Sequence, residues 1–263
     1  MKSKSIIITG AGGNIGSKLV SHMVSNTNRR IIQLDRRASR ARDVIEADLR
    51  NQNEGWAQYF HEADTVIHLA ANPSPDASWP ELVGDNVDAL LNVLEAARRG
   101  VVKRVIFASS LHAAVGYEGE LKLISTDLPA RPISFYGASK ALGERLGHRY
   151  ALKYGIAVLC LRIGWVPPTN QAPPDNRRPL MLQHRWLSDA DLCQAFTLAL
   201  DVAPVEYGIA NVTSLVEGSP WSLAEAKALL GYIPHSEHAP GTPNLFRRAS
   251  QRLRNLVRPE KLN

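Results

Sequence analysis

Short apolar runs alternate along the chain with longer segments of helical periodicity. The runs predict strands, and they are mostly apolar, as in strands buried on both faces of a sheet. These strands are Ser5–Thr9, Arg30–Leu34, Thr65–Leu69, Arg104–Ala108, Ile156–Arg162 and Gly208–Val212. The predicted helices are Asn14–Ser25, Trp56–Phe60, Glu81–Arg99, Tyr136–Tyr154 and Ser188–Asp201. Such alternation is typical of an α/β protein with a parallel sheet.

Glycine and proline mark the ends of these elements. Gly100 and Gly155 follow two predicted helices directly, where glycine commonly takes the left-handed C-cap conformation. Prolines then crowd the segment after Arg162 and exclude regular structure there: Pro167, Pro168, Pro173, Pro174 and Pro179. We therefore expect residues 1–165, completed by about 187–215, to form the core. Residues 166–186 and 216–263 would form a small substrate-binding cap and a basic C-terminal tail.

The composition of the 263 residues narrows the class of partner. The formal charge is +6, but residues 241–263 hold six cations and one anion, which leaves about +1 for the rest. Phe246 is the one aromatic residue in this tail, so we expect no nucleic-acid partner. No run approaches the ~20 apolar residues of a membrane span, so we expect no membrane partner. Two cysteines without a CxxC motif indicate a reduced, cytoplasmic setting and no metal site.

A glycine-rich loop joins the first predicted strand to the first helix. Gly10, Gly13 and Gly16 form a GxxGxxG pattern, whose glycines permit a tight turn, approach of a pyrophosphate and packing of helix on sheet. The helix N-terminus at Asn14 and Ile15 would offer N–H groups to the phosphates. We predict a dinucleotide site on a doubly wound Rossmann sheet.

Residues near the ends of later strands would complete this site. Asp35 can accept hydrogen bonds from ribose hydroxyls, which favours NAD. Arg36 could pair with a 2′-phosphate, so NADP stays open as an alternative. His68 is interpreted as a core residue. Further cofactor contacts are expected from Asp48, Leu49, Leu69, Ala70, Ala71 and Ile163.

Three side chains suggest proton and hydride transfer. Ser110 ends a strand, while Tyr136 and Lys140 lie four apart on one helix and share a face. A phenol has a pKa near 10 and needs a nearby cation, here Lys140 and the nicotinamide ring, to act as a base. We predict Tyr136 as the base, Lys140 as its activator and Ser110 as the group that holds the substrate oxygen.

The segments TGAGGNIG, HLAA, FASS and YGASK together resemble an extended short-chain dehydrogenase/reductase over residues 5 to about 215. FASSLHAAVGY, LRIG and RWLSDADL are similar to uronate dehydrogenases and related sugar dehydrogenases, which oxidise a sugar acid to a lactone with NAD. The resemblance implies Ser110, Tyr136 and Lys140 as the catalytic set. It also implies substrate contacts from Ser74, His112 and a loop arginine, Arg177 or Arg178, with Arg178 as the candidate. Relatives pair through two helices, which implies a homodimer or a higher homo-oligomer.

Two positions depart from the uronate dehydrogenase pattern. Leu111 stands where an asparagine is expected, and Trp165 where a serine is expected. Apolar groups in place of hydrogen-bonding ones would shrink the pocket and weaken recognition of a polyhydroxylated acid. We therefore expect Leu111 and Trp165 to line a pocket for a small sugar, sugar acid or related hydroxy compound.

Two other functions stay open. A sugar-nucleotide epimerase or dehydratase uses the same three side chains but returns the hydride to its product; the short segment after Trp165 favours net oxidation. A non-catalytic NAD(P)-binding protein is the second alternative, although sensor relatives usually lose the tyrosine or the lysine.

Overall fold

The fold is organised around one parallel β-sheet. The structure, a computed structural model, describes residues 5–40, 43–52, 55–172, 179–203 and 205–240. Its main strands are β1 (Ser5–Thr9), β2 (Arg30–Asp35), β3 (Val44–Glu46), β4 (Thr65–His68), β5 (Arg104–Ser110), β6 (Ala157–Ile163) and β7 (Tyr207–Val212). They pair in the order β3-β2-β1-β4-β5-β6-β7, and each neighbouring pair is parallel. The order reverses between β1 and β4, where doubly wound sheets bind ligands at the strands' carboxyl ends.

Helices pack on both faces of the sheet. They are α1 (Asn14–Asn26), α2 (Trp79–Leu82), α3 (Ala89–Arg99), α4 (Phe135–Tyr154), α5 (Leu180–Gln183), α6 (Asp189–Asp201) and α7 (Ala224–Leu230). Successive strand residues face opposite sides. Ile6 and Ile8 therefore join the apolar core that includes α1 and α6, while Ile7 joins the core that includes α3. A strand buried on both sides needs the continuous apolar run that the sequence shows.

One predicted helix end is wrong. Gly155 has φ +69° and ends α4 in the left-handed conformation, as expected. Gly100 instead has φ −77° and stays right-handed, and Val101 takes the positive φ of +59°. Gly100 is needed for packing, because a Cβ there would lie 2.6 Å from the carbonyl group of Phe60.

The predicted helix Glu81–Arg99 is longer and less regular than expected. It begins at Trp79, where Ser78 and Glu81 form a capping box, and a π-helical turn at Val83–Asp88 separates α2 from α3. Such turns are frequent near functional sites. The predicted helix Trp56–Phe60 is a 3-10 helix over Gly55–Glu62.

The C-terminal part holds elements that the pattern did not show. α5 begins directly after Pro179, and α7 packs against the edge strand β7. Two short strands, β8 (Leu215–Val216) and β9 (Glu237–His238), pair with each other. In the part of the chain that the structure describes, no helix is both long enough and apolar enough to cross a membrane.

Candidate active site

A cavity of about 790 Å³ opens at the carboxyl ends of the strands. It brings together all of the predicted cofactor and catalytic residues. Those that line it are Gly10, Gly13, Asn14, Ile15, Gly16, Asp35, Arg36, Asp48, Leu49, Leu69, Ala70, Ala71, Ser110, Tyr136, Lys140 and Ile163. His68 is not among the lining residues; it is buried, and its Nδ1 lies 2.8 Å from the Thr9 hydroxyl.

The glycine loop is shaped by two close approaches. Gly10 has φ +68°, and a Cβ there would lie 2.8 Å from the backbone nitrogen of Ala70. A Cβ on Gly16 would lie 2.1 Å from the carbonyl oxygen of Gly10. Real Cβ atoms do not tolerate such distances, so both positions require glycine in this backbone.

The first turn of α1 is open to an anion. Gly13 is its N-cap, no side chain caps the helix, and no acidic residue lies in its first turn. Its first N–H groups therefore have no partner within the helix, and the helix dipole favours a negative group there. The glycine loop and the N-terminus of α1 together fit a pyrophosphate.

Asp35 is oriented by two backbone hydrogen bonds. Gly12 N–H donates to Oδ2 at 3.0 Å, and Arg37 N–H donates to Oδ1 at 3.1 Å. Arg36 is paired with Asp85 at 3.1 Å. The carboxylate is thus fixed at the lip of the cavity, and the neighbouring cation already has an anionic partner.

Asp48 is held in a similar way. Arg50 donates to its carboxylate at 2.8 Å through Nε, and this hydrogen bond holds the pKa of Asp48 below its usual range. Arg50 and Asp85 also line the cavity. The motifs gave no sign of these two, because neither belongs to a recognisable pattern.

The predicted catalytic side chains lie together where β5 ends and α4 begins. Ser110 is the last residue of β5, and Tyr136 lies in the first turn of α4, which Ser134 caps. Both side chains line the cavity, and the interaction with the Ser110 side chain lowers the pKa of the Tyr136 phenol. Lys140 lies one turn further on, buried, with Nζ 2.9 Å from the carbonyl oxygen of Ala108.

Burial sets the protonation of these groups. It raises the pKa of Tyr136, and the hydrogen bond with Ser110 opposes that rise. It also lowers the pKa of Lys140 to about 8, and Lys140 Nζ lies 5.7 Å from the centre of the Tyr136 ring. In the protein alone the phenol form is therefore favoured. The positive nicotinamide ring would have to supply the rest of the stabilisation that a phenolate needs.

A buried asparagine ties the π-helical turn to this centre. Asn86 Oδ1 accepts from the N–H of Asn72 at 2.8 Å, and its Nδ2 lies 3.0 Å from Ser139 Oγ. Ser139 precedes Lys140 on α4. Asn86 thus fixes the loop after β4 against the helix that carries the tyrosine and the lysine.

The predicted substrate residues are only partly brought together. Leu111, His112 and Trp165 line the cavity beside Ser110. Ser74 is not among the lining residues; its N–H donates to Asn72 Oδ1 at 3.1 Å, and its neighbours Pro73 and Pro75 line the cavity instead.

An arginine that was not predicted, Arg185, lines the substrate end of the cavity. Arg177 and Arg178 lie outside the described residues, whereas Arg185 lines the cavity and is paired with Glu118. Arg185 precedes Trp186 in the RWLSDADL segment, but 67 residues separate it from its partner. No local pattern could have indicated this pair.

The chain is similar in sequence and in structure to known dehydrogenases. L-arabinose 1-dehydrogenase (NAD(P)(+)) of Haloferax volcanii is 30% identical over 250 residues, which cover 89% of this chain and 97% of that protein. Uronate dehydrogenase of Pseudomonas putida is 32% identical over 233 residues, or 87% and 83% of the two chains. The solved structure of a mutated uronate dehydrogenase has a TM-score of 0.73 at 26% identity and covers 99% of this chain and 88% of its own.

These matches confirm several predictions. They confirm the doubly wound Rossmann sheet, the resemblance to uronate dehydrogenases and the prediction that the chain is an oxidoreductase that uses NAD. Residues 6–180 match a family defined as NAD dependent. The chain belongs to the NAD dependent epimerase/dehydratase family.

Proposed function

We propose that this protein is a dehydrogenase that oxidises a hydroxyl carbon of a small sugar, sugar acid or related hydroxy compound with NAD. The convergence of Ser110, Tyr136 and Lys140 in the cavity that begins at the glycine loop carries the proposal. The relatives named for L-arabinose and uronate oxidation support this substrate class.

The dinucleotide would lie along the cavity from β2 to β6. The N-terminus of α1 and the glycine loop would hold the pyrophosphate, Asp35 the adenosine ribose, and Asp48 and Leu49 the adenine. The remaining contacts would come from Asn14, Ile15, Arg36, Leu69, Ala70, Ala71, Tyr136, Lys140 and Ile163. When bound, NAD supplies a hydride acceptor and a positively charged ring.

The side chains of this chain would handle the proton. Ser110 Oγ would hold the substrate hydroxyl by a hydrogen bond, and the Tyr136 oxygen would remove its proton as the carbinol carbon gives up a hydride to the bound acceptor. The carbinol would thereby be oxidised to a carbonyl. Protonated Lys140, beneath the tyrosine ring, favours the phenolate that this step requires.

The walls beside Ser110 favour a small substrate. Leu111, Trp165 and Leu182 present apolar side chains there, while Ser110, His112 and Arg185 supply the polar contacts. A pocket that mixes apolar walls with a few fixed polar groups selects by shape and orientation.

A panel assay tests the proposal. The protein is incubated with NAD and with aldoses, uronates and sugar nucleotides. We expect NADH to accumulate with an aldose or a uronate. A Tyr136→Phe variant should lose this activity, whereas Tyr154→Phe, at the partly exposed end of the same helix, should keep it. A product formed from a sugar nucleotide without NADH would refute the proposal in favour of an epimerase or dehydratase. NAD binding without turnover of any compound would favour a non-catalytic protein.

The remaining predictions join this proposal. We propose a cytoplasmic homodimer, in which residues 1–165 with 187–215 bind the cofactor and the rest forms the cap and tail.

Exposed apolar side chains on α4, Leu142 and Leu152, support an interface there. Light scattering should give twice the monomer mass, and Leu152→Glu should reduce it. The basic tail, 241–263, lies outside the described residues, and we propose no nucleic-acid partner for it.

A further inference from the structure

Four side chains form a polar network at the substrate end of the cavity. Arg185 donates to Glu118 through Nε at 2.8 Å and also through Nη2. Trp221 Nε1 donates to the same carboxylate at 3.0 Å. On its other side, Arg185 Nη1 lies 3.3 Å from His112 Nε2. His112 in turn contacts the ring of Tyr136 edge-on, with 5.5 Å between the ring centres.

The backbone holds Arg185 firmly in this place. Trp165 and Trp186 form a parallel bridge, and Trp165 N–H donates to the carbonyl oxygen of Arg185 at 2.6 Å. A Cβ on Gly164 would lie 2.2 Å from that oxygen, so glycine is required where the two segments meet. Arg185 is thus joined to the end of β6, next to Ser110 in the sheet.

The charge of Arg185 is balanced inside the protein. The Glu118 side chain is 2% exposed and that of Arg185 13% exposed, so little water screens this bidentate pair. Nε and Nη2 are committed to Glu118, whereas Nη1 remains beside His112 at the cavity. A guanidinium neutralised in this way can still donate a hydrogen bond to an oxygen. Its attraction for a second anion is much weaker than that of an unpaired cation.

We propose that Arg185 is a specificity-determining residue whose Nη1 binds a hydroxyl oxygen of a neutral sugar, and that Glu118 cancels its charge and so disfavours sugar acids. This inference rests on the proposed function, since it names the substrate class of the same site. It assigns to Arg185 the polar contact that Leu111 and Trp165 do not provide.

Removal of the balancing charge is the direct test. Glu118→Gln keeps an oxygen that can accept from Trp221 but leaves Arg185 positive. Dissociation constants for L-arabinose and D-glucuronate are measured on the enzyme–NADH complex by tryptophan fluorescence, so that the readout does not depend on turnover. Wild-type protein should bind arabinose more tightly. Glu118→Gln should improve glucuronate relative to arabinose by about tenfold, since hydrogen bonds to charged groups are the stronger ones.

Two further variants separate this effect from a fault in folding. Glu120→Gln removes a carboxylate two residues away that pairs with exposed Arg131, and it should leave the ratio of the two constants unchanged. The double variant Glu118→Gln/Arg185→Met restores neutrality and should return the ratio to the wild-type value while weakening both sugars.

The outcomes distinguish the inference from the proposed function. Three results would overturn the inference, even if NADH accumulates with another compound of the substrate panel. They are an equal ratio of the two dissociation constants in wild type and Glu118→Gln, tighter binding of glucuronate than of arabinose by wild type, and no binding of either sugar. A tenfold change in the ratio without NADH formation would support the sugar site and refute the dehydrogenase.

Discussion

A buried ion pair lies directly behind the candidate catalytic residues. Arg162 on β6 donates to Glu144 on α4 through Nε at 2.8 Å and Nη2 at 2.9 Å, and the side chains are 2% and 4% exposed. Ser109 donates to the same carboxylate at 2.6 Å. We predict that Glu144→Gln strongly destabilises the protein, because it leaves the guanidinium buried without an anion.

The expected magnitude follows from this burial. Breaking a buried pair by removing one partner costs about 3–5 kcal/mol, whereas replacing both by apolar groups is close to neutral. Glu144→Gln should therefore lower the free energy of unfolding by about 3–5 kcal/mol and Tm by roughly 10 °C. The double variant Glu144→Leu/Arg162→Met should recover most of this loss. Arg162 Nη1 has no hydrogen-bond partner among the described residues, which adds to the gain expected from its removal.

Urea unfolding followed by circular dichroism measures these differences. Glu95→Gln is the matched control, because Glu95 forms similarly short bonds to Arg98 and Arg99 on the exposed surface of α3. It should change stability by less than about 1 kcal/mol. A Glu144→Gln variant as stable as Glu95→Gln, or a double variant less stable than the single one, would refute the reasoning.

Three other predictions concern catalysis, cofactor binding and pH. Tyr136→Phe should lower kcat for NADH formation at least about 100-fold; retained activity would remove Tyr136 from the mechanism. Gly16→Ala places a Cβ 2.1 Å from the Gly10 oxygen and should weaken NAD binding more than about tenfold, an expectation that unchanged affinity would contradict. Burial lowers the pKa of His68 to about 3, below its unfolded value of 6.5, so stability is full above pH 6.5 and falls as the pH drops from there towards 3. Urea unfolding should show that the free energy of unfolding of wild type is about 2 kcal/mol lower at pH 5 than at neutral pH, and that His68→Asn lacks this difference. Equal losses in the two proteins would argue against a role of His68 in the pH dependence.

The sequence was most informative where local and global requirements coincide. β1 and β6 are mostly apolar because both faces are covered, and their observed bounds lie within one residue of the predicted ones. The prediction of a left-handed cap at Gly100 is wrong, because the glycine is required by a contact with Phe60 rather than by its own dihedral angle. Such a requirement depends on a residue forty positions away and leaves no local sign.

The residues of the candidate site also fall into two groups, those within one local motif and those paired across the fold. The glycine loop and the Tyr136–Lys140 spacing are confined to single segments, so their placement at one cavity could be predicted. Arg185 and Glu118 are paired across the fold and belong to no motif. The pKa of Tyr136 was also beyond prediction, because it depends on burial that only the packed structure defines.

The bridge between Trp165 and Trp186 also bears on how this protein could diversify. The chain leaves β6 at Trp165 and returns to the same point at Trp186, so the intervening residues begin and end side by side. Lengthening a loop whose ends are already joined adds little closure entropy. Insertions or exchanges between these two tryptophans could therefore reshape substrate choice while Ser110, Tyr136 and the cofactor cradle keep their positions. Grafting this segment between relatives is a direct route to new specificities.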